Sequence, residues 1–243
     1  MRITLKDQSI KSFEEWEKHI PKHHWKKGRS AYSLAYFMMK KNGADCLYKV
    51  VGDIIGENVS FTEATVEDNV PFDNYPNGTK RDLVLTGRTD SGKNVFVTVE
   101  AKVCESFGAK TSSAYQKAKL TKEENPDSKR KARIEELVAL LFNDKPAESI
   151  DVGYQLLYST AATLKGPEVK KLPKGTHRVM LVLIFKTEFL TPKCADKNCK
   201  DFGKFMGMIK AKEATRNGTT FFKTTIKGKP IVFAYQTVDA TQW

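Results

Sequence analysis

At 243 residues, with 40% hydrophobic and 29% charged residues, the chain can bury a full core and is polar enough to stay in water. No apolar run approaches a membrane span and MRITLKDQSIKSFEEW lacks the apolar core of a secretion signal, so a cytoplasmic protein with no membrane partner is expected. The net charge of +12 points to an anionic partner, nucleic acid first and an acidic surface second. Ser12-Phe13-Glu14-Glu15 has the spacing of a capping box and opens a short helix toward His19, limited by Pro21. A basic run, KHHWKKGR, is broken by Gly28. A second helix then spans about Ser30–Lys41, closed by Gly43, with Leu34, Phe37 and Met38 as its apolar stripe. Lys26, Lys27 and Arg29 surround Trp25, where cations can meet phosphates and an indole can stack. The same residues also fit a solvated loop with Trp25 tucked into the core. Val59–Val66 reads as a strand leading to Glu67-Asp68-Asn69-Val70-Pro71, and the turn-rich DNYPNGTK follows it.

The next stretch, RDLVLTGRTDSGKNVFVTVEAKVCESFG, reads as a β-hairpin. Its first arm, Asp82–Thr86, sets Leu83 and Leu85 against Asp82, Val84 and Thr86. Its second arm puts Val95, Val97, Val99, Ala101 and Val103 on one face and Phe96, Thr98, Glu100 and Lys102 on the other. Asp90-Ser91-Gly92 suits a three-residue loop ending in a left-handed glycine. Counting outward from Ser91 pairs Asp82 with Glu100, whose Cβ atoms would then lie roughly 5 Å apart. Two carboxylates so placed repel unless something positive sits between them, and a hard divalent cation would satisfy both. Alternating Asp, Thr, Glu and Lys also describes the wet face of a two-sided hairpin, but Val84 and Phe96 on that face suggest partial burial.

Helices are expected over Thr111–Lys122 and Lys129–Phe142, split at Asn125-Pro126-Asp127. Lys129, Arg130 and Arg133 make the start of the second helix basic, as a phosphate-contacting patch or a solvated first turn; positive charge there opposes the macrodipole, which leans slightly toward a functional reason. YQLLYSTAATL, residues 154–164, reads as a buried helix and RVMLVLIFK, residues 178–186, as a central strand. Asp201–Lys212 is amphipathic and the tail forms a second hairpin turning at Gly228. The four cysteines are expected as reduced thiols, and Cys194 and Cys199 lack the partners of a zinc site. Together these elements imply an α/β fold with a mixed sheet flanked by helices.

At Asp82…Glu100-Ala101-Lys102 the chain resembles the PD-(D/E)XK nuclease superfamily, whose fold is restriction-endonuclease-like. It is also similar to an uncharacterised prokaryotic branch of that superfamily through HWKKGRSAYSLA, VEDNVPF, VCESFG and YQLLYSTA, in matching order over most of Trp16–Phe205. The resemblance implies one domain over residues 1–243. Its core would span about 55–190, with a helical N-terminal appendage at 12–43 and a C-terminal helix and hairpin at 200–237. It implies that Asp82 and Glu100 hold Mg²⁺ (or Mn²⁺), that Glu67, with Glu63 as fallback, completes the metal site, and that Lys102 orients or deprotonates the attacking water. Gln155 and Tyr158 resemble a Gln/Tyr pair found in some branches, one residue short of the usual spacing. Arg81 stands where the motif's proline would be, and Glu105 and Phe107 match the branch without an assigned role. The implied activity is metal-dependent hydrolysis of nucleic acid, DNA before RNA. Lys26, Lys27, Arg29, Lys129, Arg130 and Arg133 are candidates for phosphate contact. The alternative is a non-catalytic nucleic-acid-binding or protein-interaction module on the same fold. Whether the protein is a homodimer stays open.

Overall fold

The period-two pattern of the hairpin is realised as two faces buried against different helices. Val95, Val97, Val99 and Ala101 join one core with Leu83 and Leu85, while Phe96 joins the other with Val84. A strand apolar on both faces belongs in the middle of a covered sheet. In the computed structural model, which describes residues 1–73, 75, 78–143 and 145–243, these strands lie at the centre of one nine-stranded mixed sheet.

In chain order the elements are β1 (Arg2–Leu5), β2 (Gln8–Ser9), α1 (Phe13–Glu17), α2 (Ser30–Lys40), α3 (Gly43–Ile55), β3 (Val59–Val70), β4 (Thr79–Thr89) and β5 (Asn94–Lys102). Then follow α4 (Thr111–Glu124), α5 (Arg130–Phe142), α6 (Tyr154–Val169), β6 (His177–Lys186), α7 (Pro192–Met208), β7 (Lys212–Arg216), β8 (Thr219–Ile226) and β9 (Lys229–Asp239). The sheet order is β2-β1-β3-β4-β5-β6-β9-β8-β7. Neighbours β3, β4 and β5 are antiparallel, whereas β5, β6 and β9 run parallel. The fold is therefore α/β. No helix among the described residues is long and apolar enough to cross a membrane.

The hairpin register is the expected one. Leu83 pairs with Val99 and Arg88 with Asn94, both symmetric about Ser91, and Gly92 is left-handed at φ +84. Ser12 caps α1 by accepting the Glu15 N–H at 3.1 Å. Part of the DNYPNGTK loop, residues 74, 76 and 77, lies outside the described residues.

Three features depart from expectation. Helix α3 follows α2 directly: Asn42 is left-handed at φ +52 and Gly43 begins the new helix rather than ending the chain's helical stretch. Leu34, Phe37, Leu47, Val51 and Ile54 then pack on the same sheet face as Leu83 and Val97, so these helices share the sheet's core. Helix α7 starts at Pro192, capped by Thr191, and ends at Met208, earlier at both ends than the amphipathic stretch suggested. Finally, Cys104 and Cys194 are joined in a disulfide across 90 residues with Cα atoms 5.1 Å apart, so the four cysteines are not all reduced; Cys46 and Cys199 are free. The bond links the end of β5 to the first turn of α7, a proximity only the folded chain creates.

Candidate active site

β4 and β5 part company where the charged residues begin. Their pairing ends at Leu83↔Val99, and the next backbone donor on β5, Ala101 N–H, is taken by the Asp82 carboxylate at 2.7 Å. On the other side, β3 pairs Val66 with Leu83 and Asp68 with Arg81, while Glu67 between them is left-handed at φ +50. Strict alternation would put Arg81 beside Leu83, away from Glu100. Instead Arg81 turns toward α6, where its guanidinium lies 4.8 Å from the centre of the Tyr158 ring and donates to Ser159 Oγ.

Glu100 is the centre of a buried network. Its Oε1 accepts from Lys102 Nζ at 2.6 Å and from Gln155 Nε2. Its Oε2 accepts from Arg81 Nη1 at 3.1 Å and Ser159 Oγ at 3.4 Å. Arg81, Glu100 and Lys102 are 1%, 2% and 5% exposed. On the face expected to be partly buried, Glu100 and Lys102 are therefore buried while Asp82 and Thr86 are half-buried, and the plain wet-hairpin reading of these residues is excluded.

Above this network lies a cleft of about 610 Å³ between the N-terminal segment and the start of α6. Asp82, Glu67, Lys102, Glu105 and Gln155 line it, together with Arg29 and His24; Glu100 does not. Burial pushes the Asp82 carboxyl up from its ordinary 3.8 to about 7, and the Glu100 and Glu67 charges add to the effect. Burial also raises Glu67, against the pull of Lys80. For Lys102, burial favours losing the proton, but the Glu100 and Asp82 carboxylates outweigh it and hold its pKa above the usual lysine value. The lowering of the Lys102 pKa that would suit a general base is thus absent in this arrangement.

The donor set fits a hard cation in part. Asp82 and Glu67 are desolvated oxygen donors lining one cleft, and the Glu67 charge raises the proton affinity of Asp82, which a divalent cation would relieve. Glu100 does not fit as a ligand while both its oxygens accept from two donors each. Among the described residues no group of three His, Cys, Asp or Glu side chains is placed to hold a metal ion. Glu63 is paired with Arg2 at 2.7 Å, outside the cleft lining.

Of the expected phosphate contacts, Arg29 lines the cleft, and Lys27 reaches toward Glu188 at 3.6 Å. Lys26, Lys129 and Arg130 are exposed. Arg133 is instead tied into the fold, donating to Asp73 at 2.6 and 3.3 Å and lying 4.7 Å from the Phe72 ring centre. The residues whose roles were open acquire them. Glu105 accepts from Val103 N–H at 2.8 Å and from Ser30 N–H at 3.0 Å, at the start of α2, where Arg29 offers no side-chain cap. Phe107, fully buried, takes the Gln155 N–H on its carbonyl and packs so closely on Gly153 that a Cβ there would lie 2.5 Å from its own. Loop 103–108 thereby places Gln155. Arg81 and Ser159 were not legible as site residues, although Ser159 lies one turn beyond Gln155 on the same helix face. Because Glu105 supplies α2 with its N-terminal acceptor, Glu105→Ala should lower stability by about 1–2 kcal/mol. Glu105→Gln should recover part of that loss; urea unfolding of the three proteins measures it, and equal midpoints would refute the capping role.

A family model described as Domain of unknown function (DUF6946) matches residues 9–240. No curated protein and no solved structure matches the chain.

Proposed function

The chain belongs to the family described as Domain of unknown function (DUF6946), and from its site we propose a metal-dependent phosphodiesterase acting on nucleic acid, DNA before RNA. The observation that carries the proposal is the convergence of Asp82, Glu67, Lys102 and Gln155 on one cleft, where β4 and β5 diverge, with Arg29 on its wall. Such a cleft joins acidic oxygen donors, a fixed ammonium and a cation facing the opening, which is what an anionic phosphodiester requires. Mg²⁺ or Mn²⁺ held by Asp82 and Glu67 would acidify a water and neutralise phosphate charge.

The chain's own residues then divide the work. Lys102 stays protonated, so it serves as a positive charge toward the phosphate or the leaving oxygen rather than as a base. Asp82, whose Oδ2 accepts from the Ala101 N–H, has its other oxygen left to offer the cation. Glu100 orients Lys102 and Gln155 from below. Arg29 on the cleft wall, with the exposed Lys26 and Arg130, would meet backbone phosphates in this reading. Nucleic acid is the partner and the cytoplasm the working place in this reading. One observation favours the non-catalytic alternative: Glu100 is sequestered by Arg81 and Lys102.

The two readings separate in one assay. Plasmid, linear duplex, single-stranded DNA and RNA are each incubated with Mg²⁺, Mn²⁺ or EDTA. Metal-dependent cleavage by the wild type, lost in Lys102→Ala, supports the enzyme. Binding without cleavage on every substrate supports the module. In either case affinity should fall steeply with salt, and Arg29→Ala should lower the slope of log K against log salt by about 1.

A further inference from the structure

A buried arginine on the carboxylate of a cation site changes how many cations that site can take. Arg81 is 1% exposed, carries a charge that no accessible pH removes, and lies against Glu100, itself 2% exposed. Three fixed contacts hold it: Glu100 Oε2 at 3.1 Å, the Ser159 hydroxyl and the Tyr158 ring face. Glu100 Oε1 is occupied in turn by Lys102 and Gln155. Asp82 and Glu67, by contrast, line the cleft and each keeps one oxygen without a partner among the described residues, Asp82 Oδ2 taking the Ala101 N–H and Glu67 Oε2 lying 3.8 Å from Lys80 Nζ.

We infer that Arg81 does permanently at Glu100 what a second metal ion would do, so that the cleft takes a single divalent cation, on Asp82 and Glu67. The inference rests on the metal-dependent reading above. Its physical basis is charge. Four carboxylates, Asp82, Glu67, Glu100 and Glu105, face the buried Arg81 and Lys102 and the Lys80 that pairs with Glu67, a net charge of −1. One divalent ion already reverses the sign of that cluster. A second would add charge beside an arginine that cannot leave, and desolvated like charges are costly. Glu100 is accordingly a positioning residue, and Asp82 and Glu67 are the ligands.

Mn²⁺ titration followed by the electron paramagnetic resonance signal of the free ion reads this without any turnover. Wild type should bind one ion. Glu100→Gln, which keeps the hydrogen-bonding shape but removes one nearby negative charge, should weaken that affinity less than Asp82→Asn, which should weaken it at least tenfold. Arg81→Met should free Glu100 toward the cleft and either add a second bound ion or tighten the first at least tenfold. Two ions on the wild type would overturn the inference while leaving the nuclease reading intact. So would a loss in Glu100→Gln as large as that in Asp82→Asn. A folded Arg81→Met with wild-type stoichiometry and affinity would overturn it as well. Should Arg81→Met fail to fold by circular dichroism, the wild-type count and Glu100→Gln still decide. No bound ion on the wild type would overturn both this inference and the metal-dependent reading.

Discussion

Glu100→Ala should cost about 3–5 kcal/mol of stability, because it strands two buried cations at once. Arg81 Nη1 and Lys102 Nζ both end on this carboxylate, and Gln155 and Ser159 lose their acceptor with it. A domain typically has only about 5–15 kcal/mol in total, so the variant should sit near its unfolding midpoint in mild urea. Glu63 supplies the contrast. Its pair with Arg2 is solvent-exposed, and Glu63→Ala should shift stability by about 0.5 kcal/mol or less. Urea midpoints at constant slope for the two variants measure the difference. Equal shifts would mean that the Glu100 network is no more consequential than a surface pair. Lost cleavage in Glu100→Ala therefore does not report metal ligation, since the fold itself is compromised.

Asp82→Asn separates chemistry from folding in the opposite sense. Cleavage should fall by about 10³-fold or more, since a ligand of the cation that makes the nucleophile is lost. Stability in EDTA at pH 8 should rise. The folded carboxyl titrates near 7 against an ordinary 3.8, so the native state holds a proton that the unfolded chain has released. That contribution is fully present below about pH 4 and is lost as pH climbs through about 7. The whole shift would correspond to about 4 kcal/mol at 1.36 kcal/mol per pH unit. Asp82 is partly open to the cleft, which reduces the expected gain of the asparagine variant over wild type to about 1–3 kcal/mol. The gap between the two proteins should widen from pH 4 to pH 8 in chemical denaturation. A gap that is flat or narrows over that range would refute the desolvated carboxyl.

The hairpin was legible because its information is local. Ser91 as centre, Gly92 as the left-handed residue and the two-residue alternation together set register and faces as far as Leu83↔Val99, where the two strands stop pairing. The buried helix α6 and strand β6 were equally plain, being apolar nearly throughout. Helix α3 was missed although Leu47, Val51 and Ile54 keep helical spacing, because Gly43 resembles a stop and here acts as a start. The parallel pairing of the short β1 with β3 joins residues about sixty apart and has no local mark. Arg81 was hidden for a related reason. Its orientation depends on the conformation of Glu67 on the neighbouring strand and on Ser159 from α6, and a one-strand pattern contains neither. The Cys104–Cys194 bond likewise follows from where α7 begins, not from cysteine spacing.

Glu67 carries a consequence of its own. A left-handed backbone costs a residue with a Cβ about 1–2 kcal/mol, and glycine would hold φ +50 inside β3 without that steric penalty. Asparagine or aspartate would tolerate it better than glutamate does. Glutamate at this position also has its carboxyl desolvated and its proton affinity raised, a second expense at the same residue. Selection for a durable fold alone would remove such a side chain. Its presence fits the trade-off seen at working sites, where strain is tolerated in return for a group held where the reaction needs it.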